Sequence, residues 1–400
     1  MTPCPTLIER PATHRSLWRP PFLVLALVLV TAAACIPFRQ EAGWPELSTL
    51  DLPGSIYDGH IFLTFNDKIT LIDPANGQAA RLRNADGEVR VDEEGRARLW
   101  EFGGPQAAPN QFFAEPVTLD GDSLLVLSNS ERLFEVNLAR ADARIAEGLE
   151  LPGRVLAAPL VGEDLVYVAA ERTMLALEAG NYQQRWGFET DQSIWSRPLF
   201  VNGALLFTSL DHNLYALDPN DGSEIWRLNL GGAAPVTPVE YNGRLYTGTF
   251  SRKIFSISPD GKIQAEFSTE DWVWGAPAIA DGVLYAADLG GNAYALEIGE
   301  SNFRLLWQAV VSERAIRAAP VVSGEYVILA GRDQNLYWLG RNDGRVYFSR
   351  ELVGEIVSDM LLLEQGPDAE AMLAVSTLAN EEALVAFGVQ NGDRRWTYSR

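Results

Sequence analysis

A unit of about 40 residues recurs along most of the 400-residue chain, and that recurrence limits the fold more than any single motif. The clearest copy begins Ser196-Arg-Pro-Leu-Phe-Val-Asn-Gly203 and continues as Ala204-Leu-Leu-Phe-Thr-Ser209 and Asn213-Leu-Tyr-Ala-Leu-Asp218. A Pro219-Asn-Asp-Gly222 turn and Glu224-Ile-Trp226 complete it. A proline opens the first run at Pro116, Pro159, Pro198, Pro238, Pro277 and Pro320, with spacings of 43, 39, 40, 39 and 43 residues. The third run occurs eight times, from Thr70-Leu-Ile-Asp73 to Leu384-Val-Ala-Phe-Gly388. An aromatic follows six of these copies: Trp186, Trp226, Phe267, Trp307, Phe348 and Trp396. In the second copy Ile145 stands in its place.

Each unit alternates Leu, Val or Tyr with small or polar residues, the period of two that strands require. Turns such as Asp73-Pro-Ala-Asn-Gly77 and Asp218-Pro-Asn-Asp-Gly222 separate the third and fourth runs, where Gly and Asn adopt positive φ cheaply. Four short strands per 40-residue unit predict an all-β chain, an eight-bladed β-propeller of four-stranded antiparallel blades over residues 53–400. The outer-strand aromatics are read as inter-blade core. The first unit is irregular: Asp73 and Trp100 stand 27 residues apart, so about 19 residues are inserted, with an extra hairpin around Glu93-Glu-Gly95. A second insertion falls near Glu364–Glu370.

Composition narrows the chemistry. The only cysteines are Cys4 and Cys35, and the only histidines are His14, His60 and His212. A Ser-His-Asp hydrolase, a thiol nucleophile or a Cys- or His-ligated metal site is hard to build from that stock, so no catalytic residues, metal or cofactor are expected. His60 and His212 fall at blade turns and read as structural. With 32 Lys and Arg against 53 Asp and Glu, the chain carries −21 and would be repelled by a phosphate backbone, which argues against nucleic acid.

The N-terminus reads as an address. Arg10, Arg15 and Arg19 precede the apolar stretch Phe22–Ala34, whose 13 residues fall short of the roughly 20 that a spanning helix needs. Ala32-Ala-Ala-Cys35 resembles a lipobox, with Cys35 as the lipidated first residue of the mature protein. Residues 1–34 are therefore assigned to a lipoprotein-type signal peptide and 35–52 to a tether. The body is placed outside the cytoplasmic membrane, on the outer membrane or on the outer face of the cytoplasmic one. The mature balance is 29 cations to 52 anions, so attachment would rest on acyl chains rather than on basic residues.

The pattern Leu-Tyr-Ala-Leu-Asp-x-x-x-Gly-x-x-x-Trp, preceded by its proline-led run, resembles the PQQ-type propeller repeat from about residue 54 to 400. One branch of that group, the quinoprotein dehydrogenases, implies a quinone and calcium on the axis and often a vicinal disulfide, for which the body has no cysteine pair. The exported lipoproteins of similar length resemble more closely, and among them the BamB family, accessory lipoproteins of the β-barrel assembly machine. That resemblance implies a monomeric, non-catalytic scaffold in the cell envelope that docks on the periplasmic domains of the β-barrel insertase. A quinone-dependent oxidoreductase and a propeller that senses a saccharide or peptide are the alternatives.

Bulky residues gather just before several of the prolines: Phe113, Ile194 and Trp195, Trp272 and Trp274, and Ile316 and Arg317. Inter-blade loops converge on one face of a propeller, so these residues are candidates for a partner-binding rim; the same residues could instead plug the end of the axial channel. Trp and Arg are frequent anchors of interfaces. Alternation puts Trp272 and Trp274 on one side. Mass spectrometry of the mature protein is expected to find a lipid-modified Cys35 at the N-terminus; an unmodified cysteine, or retention of residues 1–34, overturns the anchor reading.

Overall fold

Alternation along each repeat pairs neighbouring runs as antiparallel strands joined by tight turns. The computed structural model describes residues 45–400, except 54, 66–67, 85, 104–113, 120–121, 144–147 and 365–369. Residues 1–34, Cys35, Phe113 and Ile145 lie outside the described residues. In the fourth blade Leu199–Val201, Ala204–Thr208, Asn213–Leu217 and Glu224–Asn229 lie side by side in chain order. The described residues form eight such sheets and no helix, an eight-bladed β-propeller.

No blade has a core of its own. Along the middle strands of the fourth blade, Leu205, Phe207, Tyr215 and Leu217 pack against the third blade, while Leu206, Leu214 and Ala216 pack against the fifth. This is the strand period of two used on both faces of one sheet. Each of the eight apolar clusters likewise joins two adjacent blades. The last of them closes the ring, bringing Leu384 and Ala386 of the eighth blade onto Ile61, Leu63 and Ile72 of the first.

A tryptophan on the outer strand locks most of these interfaces. Trp186 Nε1 donates to Pro219 O at 2.9 Å, Trp226 to Pro259 O at 3.0 Å and Trp307 to Arg341 O at 2.7 Å. Each acceptor lies in the third-to-outer turn of the next blade. Trp396 Nε1 closes the circle on Pro74 O at 2.8 Å, 322 residues away in sequence. The indole lies flat over the turn glycine: a Cβ on Gly222 would stand 2.6 Å from the Trp186 ring, and Gly222 also holds φ +73°. The Gly-x-x-x-Trp spacing thus encodes both halves of a lock, but the glycine of one repeat receives the tryptophan of the preceding one.

Among the described residues the fifth and seventh blades vary the lock. In the fifth, strand register puts Ala265 opposite Ser256, the place that Trp226 takes opposite Ala216 in the fourth. Phe267 therefore does not fill the tryptophan position; it packs edge-on against Tyr294 at 5.7 Å. One residue fewer in the Pro259-Asp-Gly261 turn and two more before the aromatic account for the offset. In the seventh, Phe348 stacks on Trp338 at 5.0 Å, and Trp338 Nε1, from the third strand, donates to Val389 O at 2.7 Å.

The first blade starts earlier than the sequence suggests. Glu46–Thr49, inside the segment read as a tether, pairs with Ile61–Phe65 as the innermost strand. Pro45 precedes this run as the marker prolines precede theirs, but it stands 71 residues before Pro116, off the 39–43 spacing because of the insertion, and the four-residue run is too short for alternation to stand out. The outer strand breaks after Gln78–Ala79, and Trp100 returns to donate from Nε1 to Leu138 O at 2.6 Å. Between them Leu82, Arg90 and Arg98 hydrogen-bond in a backbone cycle, Leu82 N to Arg98 O, Arg98 N to Arg90 O and Arg90 N to Leu82 O, each at 2.8–2.9 Å. The insertion is thus a three-cornered knot rather than one hairpin.

Gly222→Ala is expected to lower the denaturant midpoint more than Gly203→Ala, by over about 1 kcal/mol in stability. Gly203 has φ +81° but open space around its would-be Cβ, so it reports the backbone cost alone, about 1–2 kcal/mol. Equal losses would remove the steric lock from the account.

Candidate functional site

The segments that enter successive blades are stitched to the hairpins on either side of them. Ile194 N donates to Glu171 O in the third blade at 2.7 Å, and Leu210 N in the fourth donates to Ser193 O at 2.9 Å. Val273 N bonds Thr249 O at 3.1 Å and Leu289 N bonds Trp272 O at 2.8 Å. Arg332 N to Ala315 O at 2.9 Å repeats the pattern. A segment held on both sides presents its residues alternately: the middle one buries between blades and its neighbours face outward or toward the hub.

That alternation sorts the candidates. Ile194 and Ile316, expected on the rim, are wholly buried, each in the apolar cluster between its two blades, as is Val273 between Trp272 and Trp274. They support the rim without forming its surface. Phe113 lies outside the described residues. The structure does bring Trp195, Trp272, Trp274 and Arg317 together. Trp195 and Trp274 enter blades two apart, yet their ring centroids are 6.1 Å apart. The Arg317 guanidinium lies 3.9 Å above the Trp274 ring, a cation–π contact with both groups over nine-tenths buried.

Phe250 joins the group, and sequence reading missed it. It stacks on Trp272 at 5.0 Å and meets Trp274 at 5.4 Å. It sits in the hairpin between the second and third strands of the fifth blade, where other blades carry Glu171, Leu210, Leu289 or Arg332, so no repeat pattern marks it. Trp272 remains 41% exposed. The result is a rigid aromatic platform with a guanidinium at its edge, suited to stacking and apolar contact.

Closer to the axis the lining is acidic. Glu115 N donates to Glu46 Oε2 at 3.0 Å, and Arg197 lies 3.8 Å from Glu115 although the third blade separates their entry points. Asp359 accepts from Ala319 N at 2.7 Å. Loss of hydration, with Glu115 and Asp359 nearby, pushes the Glu46 carboxyl up to about 8. Glu115 and Asp359 are raised as well, chiefly by desolvation, Glu115 against the pull of Arg197. Among the described residues no three His, Cys, Asp or Glu side chains converge closely enough to hold a metal ion.

Known proteins share this architecture. The sequence pattern of the family described as outer membrane protein assembly factor BamB matches residues 85–206, 210–304 and 302–400. The outer membrane protein assembly factor BamB of Yersinia pestis is 22% identical over 278 residues, 55% of this chain and 66% of that protein. The serine/threonine-protein kinase AfsK of Streptomyces griseus is 28% identical over 189 residues, 45% of this chain and 23% of the kinase. The chain thus spans about two thirds of the first relative and under a quarter of the second. Among solved structures, BamB from Moraxella catarrhalis superposes with a TM-score of 0.56 at 17% identity, covering 79% of this chain and 97% of that one.

The raised Glu46 carboxyl makes stability depend on pH. The folded state holds a proton that the unfolded chain releases near the ordinary value of 4.5, so stability falls as pH rises from there to about 8. Glu46→Gln is expected to flatten this slope, matching the parent near pH 4.5 and exceeding it above pH 8 in thermal unfolding. Parallel curves for the two proteins would refute the assignment.

Proposed function

Because the chain belongs to the family described as outer membrane protein assembly factor BamB, we propose that it is a non-catalytic envelope scaffold that helps assemble β-barrel proteins into the outer membrane. The observation that carries this reading is the family match, which begins in the first-blade insertion and runs to the last residue. Residues 1–34 export the chain, Cys35 takes the lipid, and the propeller from Glu46 onward is held at the membrane surface.

Partner binding belongs to the rim. Trp272 and Trp195, backed by Phe250, Trp274 and Arg317, offer the partner a pre-ordered surface. Stitching of each entry segment to two hairpins limits the entropy lost on docking. Ile194 and Ile316 hold the platform from beneath. The partner in this reading is the periplasmic part of the β-barrel insertase, and a body this acidic favours a basic counter-surface.

Affinity capture from cross-linked envelope extracts tests both parts. The parent chain is expected to recover barrel-insertion components; recovery of none would defeat the scaffold reading. Trp272→Ala is expected to reduce that capture at least tenfold, the loss of a roughly 2 kcal/mol anchor, with little change in thermal unfolding because the side chain is partly exposed. Undiminished capture by the variant would move the docking surface elsewhere.

A further inference from the structure

We propose a second binding site, independent of the rim and of the scaffold reading: a cleft in the first blade that takes a small organic anion by its carboxylate or phosphate group. The cleft has a volume of about 380 Å³ and is lined by Tyr57, His60, Asp73, Gln78, Arg81 and Arg83, among others. That volume lies within the range of small-ligand pockets, about 300–1,000 Å³.

The cleft exists because the first blade departs from the repeat. Its outer strand stops at Ala79 and the chain leaves the sheet into the knot at residues 81–99, so the wall that an ordinary outer strand would continue is replaced by Arg81 and Arg83. The knot carries five arginines, Arg81, Arg83, Arg90, Arg96 and Arg98, against five acidic residues, in a chain with a net charge of −21. It is a locally neutral patch on an otherwise anionic body, which lowers the repulsion an incoming anion meets.

The donors of the cleft are pre-positioned and under-used. Tyr57 Oη donates to Arg81 O at 2.9 Å and accepts from Arg83 N at 2.8 Å, which pins both arginine backbones to one tyrosine. The Tyr57 ring meets His60 edge-on at 5.6 Å. His60 Nδ1 is buried without a hydrogen-bond partner, one of few such atoms among the described residues. The Arg81 guanidinium has no hydrogen bond or ion pair among the described residues, and Arg83 commits only Nη1, to Gly87 O at 2.7 Å. The one carboxylate in the lining is spent on its own turn: Asp73 Oδ1 accepts from Ala75 N at 2.9 Å and Oδ2 from Asn76 Nδ2 at 2.7 Å. Unused donors therefore outnumber unused acceptors, and the fork of an arginine matches two oxygens of one oxyanion.

Scarcity of histidine makes the test direct. Protein labelled at histidine is titrated with succinate and, separately, with inorganic phosphate, while the ring signals of His60 and His212 are followed by NMR. The expected result is a saturable shift of the His60 signal with at least one probe and no shift at His212; the probe that saturates says whether carboxylate or phosphate is preferred. Arg81→Ala, a change at an exposed side chain, is expected to weaken the response at least tenfold while leaving thermal unfolding at the parent value. No saturable His60 shift up to about 10 mM of either probe, an affinity weaker than roughly 3 kcal/mol, would overturn the proposal. So would an undiminished response in Arg81→Ala.

Discussion

Everything in this molecule depends on the inability of one four-stranded blade to bury both of its faces. A twisted sheet of four short strands exposes an apolar surface on either side, and each fully buried Leu, Val or Phe contributes about 1.5–3 kcal/mol only if a second surface covers it. Here the cover is always the next blade, as Phe207 facing the third blade and Leu206 facing the fifth make plain. A ring is the closed solution to that constraint. Its closure is purely non-covalent, with the eighth blade resting on the first through Leu384, Ala386 and the hydrogen bond from Trp396 to Pro74.

The tryptophan lock shows how a repeat can encode a neighbour relation. Indole and glycine are close in sequence but belong to different interfaces, so a unit that carries both is donor to one neighbour and receiver from the other. Where the indole is missing the geometry is kept by other means. Trp338 reaches Val389 from the third strand of the seventh blade, while in the fifth Ala265 takes the lock position and Tyr246 meets Phe303 of the sixth blade at 6.3 Å. Interfaces of this kind tolerate substitution because the requirement is a filled gap and a satisfied turn carbonyl, not a particular residue.

The rim and the cleft arise differently from the same framework. The rim is a product of regularity: doubly stitched entry segments turn the residues flanking each buried one away from the inter-blade core, and four of those flanking residues are Trp or Arg. The cleft is a product of irregularity, opened by an insertion that interrupts one outer strand. Neither needed a residue pattern of its own in the repeat, which explains why the propeller scaffold can carry unrelated recognition surfaces.

Sequence alone determined the strand period, the number of blades, their turns and the tryptophans that fill the gaps, because these follow from local alternation and from spacing that repeats eight times. It also brought Trp195, Trp272, Trp274 and Arg317 forward as candidates, since they stand just before the marker prolines. Only the tertiary structure decided that Ile194 and Ile316 at those places are core, that Phe250 belongs to the platform, that Glu46 begins the first blade, and that Ala265 rather than Phe267 occupies the lock position. These points turn on which face a side chain takes and on which blade lies beside it. A one-residue slip in register reverses the first, and contacts between distant residues settle the second, so neither is written in any local stretch of the chain.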